Sequence, residues 1–382
     1  MKYTESKEAD NKIQKDVEII KKIIIKYEKP ETIVMFGGFG HGGGSFIKKE
    51  EEILPLNDYD IYLITKKPIS GEKLEKIGEE CSRALHRGGL EIVEYYNQKY
   101  DENKFFHVDL HNITLKKLKK PLPLQRIYDL KTSIVILGNK NILRKIPEVK
   151  ISKSDALRML FNKLDHFAIA ESNSNLLKSI YAVKGFTDSC SSLLIYYGEY
   201  TSKYQDRIKK LETLSKIKQI PKEYIDLVKI ATNAKLKEGY FIKDVDEFFL
   251  KSKKWVGWIL KIMIKEHLNI KSNNWKIICQ KMYSKLPYIY FNDYLKSKYL
   301  FLGQYYLNLR FFLSGLRKRE FLIKSLFRWR DAGLIIAMAL ILYSFGEKKE
   351  AEKYLRKLTD KTFPLKQRIL KIYSIYYLQK LV

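Results

Sequence analysis

The chain has 382 residues, 45% hydrophobic and 30% charged, with a formal net charge of +28. That length exceeds one ordinary domain and supplies apolar residues for two or three, which excludes a disordered or fibrous protein. Cys81, Cys190 and Cys279 are too few and too scattered for a disulfide framework or a zinc cluster, so a reducing compartment such as the cytoplasm is expected.

The opening stretch, MKYTESKEADNK, is polar and lacks a signal-peptide core. Ile13, Val17, Ile20 and Ile24 then recur at helical spacing, and Lys29-Pro30 ends the helix over 7–28. An apolar strand, Thr32 to Phe36, runs into a glycine-rich turn, Gly37 to Gly44, with a short helix expected after Gly38. The stretch from Gly43 to Asn57 is long, and its charged middle, Lys48 to Glu52, reads as a solvated loop or hairpin tip. Asp58-Tyr59-Asp60 opens the next strand, which ends at Thr65. Ser70 starts a helix through about Leu85, stopped by Gly88-Gly89. Strands follow at Leu90–Tyr95 and Phe105–Thr114, joined by a polar turn at Asp101-Glu102-Asn103.

Pro121 and Pro123 mark a change of texture. Residues 124–150 mix a short helix with an apolar run ending at Gly138-Asn139, and a boundary falls near Pro147 to Ser154. Beyond it the pattern is helical: Ser154 as N-cap of a helix to Glu171, then Leu176 to Tyr197 stopped by Gly198. Further helices are expected at 203–217, 221–236, 243–268, 272–285, 288–313, 316–330, 332–345, 347–357 and 364–381. The longest apolar run, Ala332 to Phe345, is too short to span a bilayer and reads as a buried helix, so no membrane partner is expected. The fold class is therefore α+β: a small mixed sheet in residues 1–150, followed by an all-helical domain, 151–382.

Residues 36–60 (FGGFGHGGGSFIKKEEEILPLNDYD) carry the chemistry. A loop of bare backbone amides suits phosphates, and two carboxylates at a spacing of two share one strand face and can grip a divalent metal. No Gly-Lys-Ser/Thr closes the loop as in a P-loop, and the spacing of a dinucleotide fingerprint is absent. His107, Asp109 and His111 alternate along one strand; a His-Asp-His metal set is conceivable, although strand histidines beside a carboxylate more often hydrogen-bond.

In this order the motifs resemble the nucleotidyltransferase superfamily typified by DNA polymerase beta, over roughly residues 10–115. The glycine signature falls on Gly37 and Gly38, the D-x-D pair on Asp58 and Asp60, and the third acid on Asp109 in FFHVDLHNIT. The resemblance implies an NTP substrate, ATP foremost, contacted by Gly37, Gly38, Gly40, His41 and Asn57. It implies two Mg²⁺ ions, with Mn²⁺ as a substitute, held by Asp58, Asp60 and Asp109, which are also the catalytic residues. The reaction it implies is transfer of a nucleoside monophosphate to an acceptor hydroxyl with release of pyrophosphate. Gly38 stands where Ser is commoner, His41 where Arg often sits, and Asn57 where Ser or Thr often precedes the acids. Relatives often present a Lys or Tyr from a helix behind the cleft; Lys178 and Lys184, near Asp188 and Ser191, are candidates here.

The net charge divides as +5 over 1–150, +3 over 151–250 and +20 over 251–382. Trp255, Trp258, Trp275 and Trp329 all lie in the basic last third. Basic residues with interleaved aromatics suit a nucleic-acid backbone and exposed bases, which tilts the acceptor toward RNA or tRNA. Transfer to a small molecule or protein, or a non-catalytic nucleotide- or RNA-binding module, are the alternatives, and fold alone does not choose among them.

Overall fold

A computed structural model describes residues 1–49, 52–56, 58–86, 107–171, 173–292, 332–359 and 364–378, together with 309 and 313. Helix α1 (Lys7–Tyr27) starts at Ser6, whose side chain accepts from the Ala9 amide, and buries the Ile13, Val17, Ile20 and Ile24 stripe. The polar opening segment is anchored rather than loose. Tyr3 and Thr4 are buried, and Asp10 Oδ1 accepts from both of their amides at 2.9 and 2.7 Å.

Strand β1 (Thr32–Met35) is followed by one helical turn, α2 (Gly37–Gly40), and by a hairpin of β2 (Phe46–Lys49) and β3 (Glu52–Pro55). Lys48 and Glu52 are exposed as expected, but Leu56 just beyond the hairpin joins the core of the helical half and Ile47 packs against it. Strand β4 (Tyr59–Thr65) leads to α3 (Gly71–Ala84), capped by Ser70, and the described chain resumes at β5 (Val108–Thr114). After short helices α4 (Leu115–Leu118) and α5 (Gln125–Leu130) comes β6 (Ile134–Gly138), then α6 (Asn141–Arg144). The sheet order is β5-β4-β1-β6: β1 runs antiparallel to β4 and β6, and β4 runs parallel to β5. One face packs on α1 and α3 through residues such as Ile33, Ile61 and Leu63; the other packs Val34, Tyr62 and Ile64 against the segment from Leu118 to Val149.

The apolar run ending at Gly138-Asn139 is thus the fourth strand, which its five residues could not announce beside the helical signals around them. The expected strand at Leu90–Tyr95 and the turn at Asp101–Asn103 lie outside the described residues.

The helical half comprises α7 (Lys153–Ala170), α8 (Asn175–Tyr197), α9 (Tyr204–Lys218), α10 (Lys222–Lys237), α11 (Val245–Leu268) and α12 (Trp275–Asn292). It continues with α13 (Ala332–Ser344), α14 (Lys348–Leu355) and α15 (Leu365–Leu378). The N-cap of helix α7 is Ser152, two residues before the expected Ser154, because Ser152 takes the extended cap conformation and accepts from the Ser154 amide. Helix α8 ends at Gly198 in the left-handed region, as the glycine predicts. Helix α12 passes through Pro287, where a break between 285 and 288 was expected. Most of 288–313 and all of 316–330 lie outside the described residues. Helix α13 is buried along Ile335 to Leu342, as an all-apolar helix must be. No helix among the described residues is long and apolar enough to cross a membrane. Trp255 and Trp275 are core residues and Trp258 packs partly buried against them; Trp329 is outside the described residues. Two of the four tryptophans are therefore unavailable for stacking on bases.

A buried polar network ties the sheet half to the helical half. Arg207, 6% exposed, donates to Thr201 O at 2.8 Å, Ser191 Oγ at 2.9 Å, Tyr200 Oη at 2.8 Å and Ser202 O at 2.7 Å. Tyr200 Oη and Ser202 Oγ in turn donate to the buried Asp129 carboxylate at 2.9 and 2.6 Å. Arg207→Met would leave Ser191, Tyr200 and two carbonyls short of a donor, and a loss on the order of 3 kcal/mol is expected in denaturant unfolding. A loss under about 1 kcal/mol would mean the network does not hold the halves together.

Candidate nucleotide and metal site

The β4–β5 register builds the acidic face. Parallel pairing sets Asp60 opposite Asp109 and Tyr62 opposite His111, and the Tyr59 amide donates to His107 O at 3.1 Å just before the strands, which brings Asp58 beside His107. Alternation then turns Asp58, Asp60, His107, Asp109 and His111 to one face, while Tyr59 and Ile61 go into the core behind it. His107 Nδ1 lies 3.1 Å from Asp58 Oδ1, at ion-pair distance but without the alignment of a hydrogen bond. His111 Nε2 lies 3.2 Å from Asp109 Oδ2. Its ring packs against both Tyr62, 5.1 Å away, and Phe36, 5.5 Å away, which touch each other at 4.6 Å.

Burial pushes the Asp60 carboxyl up to about 7, with Asp58 and then Asp109 adding like-charge repulsion. Burial opposes charge on His107, yet the Asp58 carboxylate at its side lifts it to about 9. Burial likewise opposes the charged forms of Asp109 and His111, but their mutual contact wins, lowering the acid and raising the imidazole. Three carboxyls crowd this face, and a divalent cation would relieve the repulsion among them. Asp60, Asp109 and His111 each offer a ligand atom, all within 4.8 Å of one another, and the buried Asp58 Oδ1 beside them has no hydrogen-bond donor. The donor set fits a divalent ion. The expected trio of Asp58, Asp60 and Asp109 is therefore on one face, but the tight cluster takes His111 in place of Asp58, which is turned to His107.

Gly37 joins this face to a cavity. Its φ is +66°, and a Cβ there would collide with Asp60 Oδ2, so both conformation and space demand glycine. The Phe36 amide donates to Asp60 O at 3.0 Å, which fixes the turn over the carboxylate. Gly37, with Gly38 and His41, also lines a cavity of about 280 Å³ whose other walls are Gln125, Asp129 and helices α7, α8 and α9; Asp58, Asp60 and Asp109 are not among its lining residues. Gly40 packs on the Met35 carbonyl and does not line it. Asn57 lies outside the described residues. Burial lowers the pKa of His41, so it is a neutral polar group and no substitute for a permanently charged arginine.

Sequence reasoning missed the cavity's own charges. Arg158, Asn162 and Lys163 project from α7, Asp188 and Ser191 from α8, and Arg207 from α9. Lys163 Nζ is 2.8 Å from Asp188 Oδ2. The candidate Lys178 instead pairs with Asp246 at 2.7 Å, and neither it nor Lys184 lines the cavity. A signal did exist: Arg158, Asn162 and Lys163 lie four and one residues apart on a helix whose other face is apolar.

No family model matches the chain. No curated protein matches it either. Among solved structures it is similar to a spectinomycin adenyltransferase from Enterococcus faecialis, solved with ATP and spectinomycin, at a TM-score of 0.39 and 16% sequence identity, over 65% of this chain and 98% of that one.

Proposed function

We propose that the chain catalyses divalent-cation-dependent transfer of a nucleoside monophosphate from an NTP, ATP foremost, to an acceptor hydroxyl. The observation that supports this most is Gly37, which abuts Asp60 and also lines the polar cavity. Residues 1–150 are the catalytic unit and 151–382 the helical one, with the nucleotide between them. Gly37 and Gly38 approach the phosphates with bare backbone, and Lys163 and Arg158 supply cationic contacts from the facing wall. Asp60 and Asp109, with Asp58 beside them, would hold divalent cations, and Asp109 takes the proton of the acceptor hydroxyl. When bound, the cations neutralise developing charge on the phosphates and acidify the acceptor. The acceptor oxygen bonds to the α-phosphorus as the α–β bridging bond breaks, and pyrophosphate leaves.

The +20 net charge of residues 251–382 favours RNA, tRNA included, as acceptor; the burial of Trp255 and Trp275 confines that argument to charge. Three buried free thiols accord with a cytoplasmic setting. Incubation with labelled NTPs, Mg²⁺, total RNA and lysate tests the reading. Label on RNA supports the full proposal, and label on a small molecule or a protein moves the acceptor to that class. No label anywhere, with nucleotide still bound, leaves a non-catalytic binding module.

A further inference from the structure

We propose that Asp60, Asp109 and His111 form a mixed oxygen–nitrogen site that holds a first-row transition ion in preference to Mg²⁺, with Mn²⁺ as its paramagnetic probe. This deepens the proposed function and rests on it only in that both place a divalent cation on this face.

Geometry supports His111 as a ligand. His111 Nε2 lies 3.2 Å from Asp109 Oδ2, close to the roughly 3 Å between neighbouring donors on an ion with bonds of about 2.0–2.2 Å, and all three donor atoms lie within 4.8 Å of one another. The backbone holds them there: Asp60 and Asp109 are direct partners across the parallel ladder, and His111 is the next residue on the same face of β5. Tyr62 and Phe36, themselves in contact, flank the imidazole at 5.1 and 5.5 Å, which helps keep it beside the acids. Across the site, the missing Cβ of Gly37 leaves Asp60 Oδ2 room. Asp58, which an all-carboxylate site would use, is 3.1 Å from His107 and outside the compact cluster.

Ligand chemistry then selects the ion. Mg²⁺ takes oxygen donors in near-ideal octahedra and releases water reluctantly, whereas imidazole suits the later divalent metals. Replacing one carboxylate of a triad by imidazole also removes one negative charge, which weakens hold on a hard ion more than on one that bonds nitrogen well. The competing role for His111 is to hydrogen-bond Asp109 and orient it without touching the ion.

The test uses full-length protein stripped with a chelator and titrated with Mn²⁺ alone, read by electron paramagnetic resonance with pulsed detection of imidazole ¹⁴N. The inference expects nitrogen coupling in the native protein and Mn²⁺ affinity about tenfold or more above that for Mg²⁺. In His111→Gln, with folding checked by circular dichroism, it expects loss of the coupling, a roughly tenfold fall in Mn²⁺ affinity, and a change under about threefold for Mg²⁺. His107→Gln should retain the coupling. Mn²⁺ bound without nitrogen coupling, or equal losses for both ions in His111→Gln, would overturn the inference and leave His111 orienting Asp109. That result is compatible with nucleotidyl transfer, whereas a native protein that binds neither ion removes the proposed function as well.

Discussion

Asp60→Asn is expected to abolish nucleotidyl transfer, by about a thousandfold or more, while the fold survives unharmed. The amide has the shape of the carboxylate, so it keeps its place under Gly37, and the Phe36 amide bonds to the backbone oxygen of residue 60, which the change does not touch. What it loses is charge. The Asp60 carboxyl is forced up to about 7 by burial and by Asp58 and Asp109, so its ionised form is tolerated for a reason other than stability. Calorimetry should therefore show a melting temperature equal to or above that of the native chain. Label transfer and calorimetry together decide: near-native turnover would remove Asp60 from the chemistry, and a collapse in melting temperature would make it a structural residue.

The largest stabilising change is expected at Asp165, in α7. Asp165 is 3% exposed, its Oδ1 meets no hydrogen-bond donor, and burial pushes its carboxyl up to about 8. The folded-state value lies above the unfolded one, so the folded chain holds this proton more tightly. Its contribution to stability is fully present at low pH, falls as pH rises from about 4, and levels off above about 8. Asp165→Asn supplies a neutral group of equal size and removes that slope. Denaturant unfolding should show the variant more stable than the native chain by on the order of a few kcal/mol at pH 8, with the difference shrinking toward pH 4. A difference independent of pH would show that the carboxyl finds a partner when it ionises.

Much of the sheet half was legible because its signals are local. Ser70, Gly198 and the stripe of α1 each act within one or two turns, and the strands on both sides of Gly37 are apolar and bounded by turn residues. Asp58 and Asp60 share a face by period-two alternation alone, whereas Asp109 joined them only through the family resemblance, and the β4–β5 pairing then puts all three on one face. The role of His111 depends on which strand lies beside which and in what register, and spacing along one strand does not encode that. The cavity wall was illegible for the same reason. Lys178 and Lys163 look alike along the sequence, and only the rotation of α7 and α8 against the sheet sends one toward Asp246 and the other into the cavity. The network of Asp129, Tyr200 and Arg207 joins residues from three separate segments and carries no motif.

The parallel ladder between β4 and β5 also limits how this gene can change. Gaining or losing one codon within either strand would reverse which side chains face the cleft. Asp60 or Asp109 would then be driven among Ile33, Ile61 and Leu110, and an isoleucine or leucine would take the vacated position. Insertions and deletions there should therefore be selected against as strongly as replacement of the acids themselves, whereas the β2–β3 hairpin, with Lys48 and Glu52 in solvent, can vary in length.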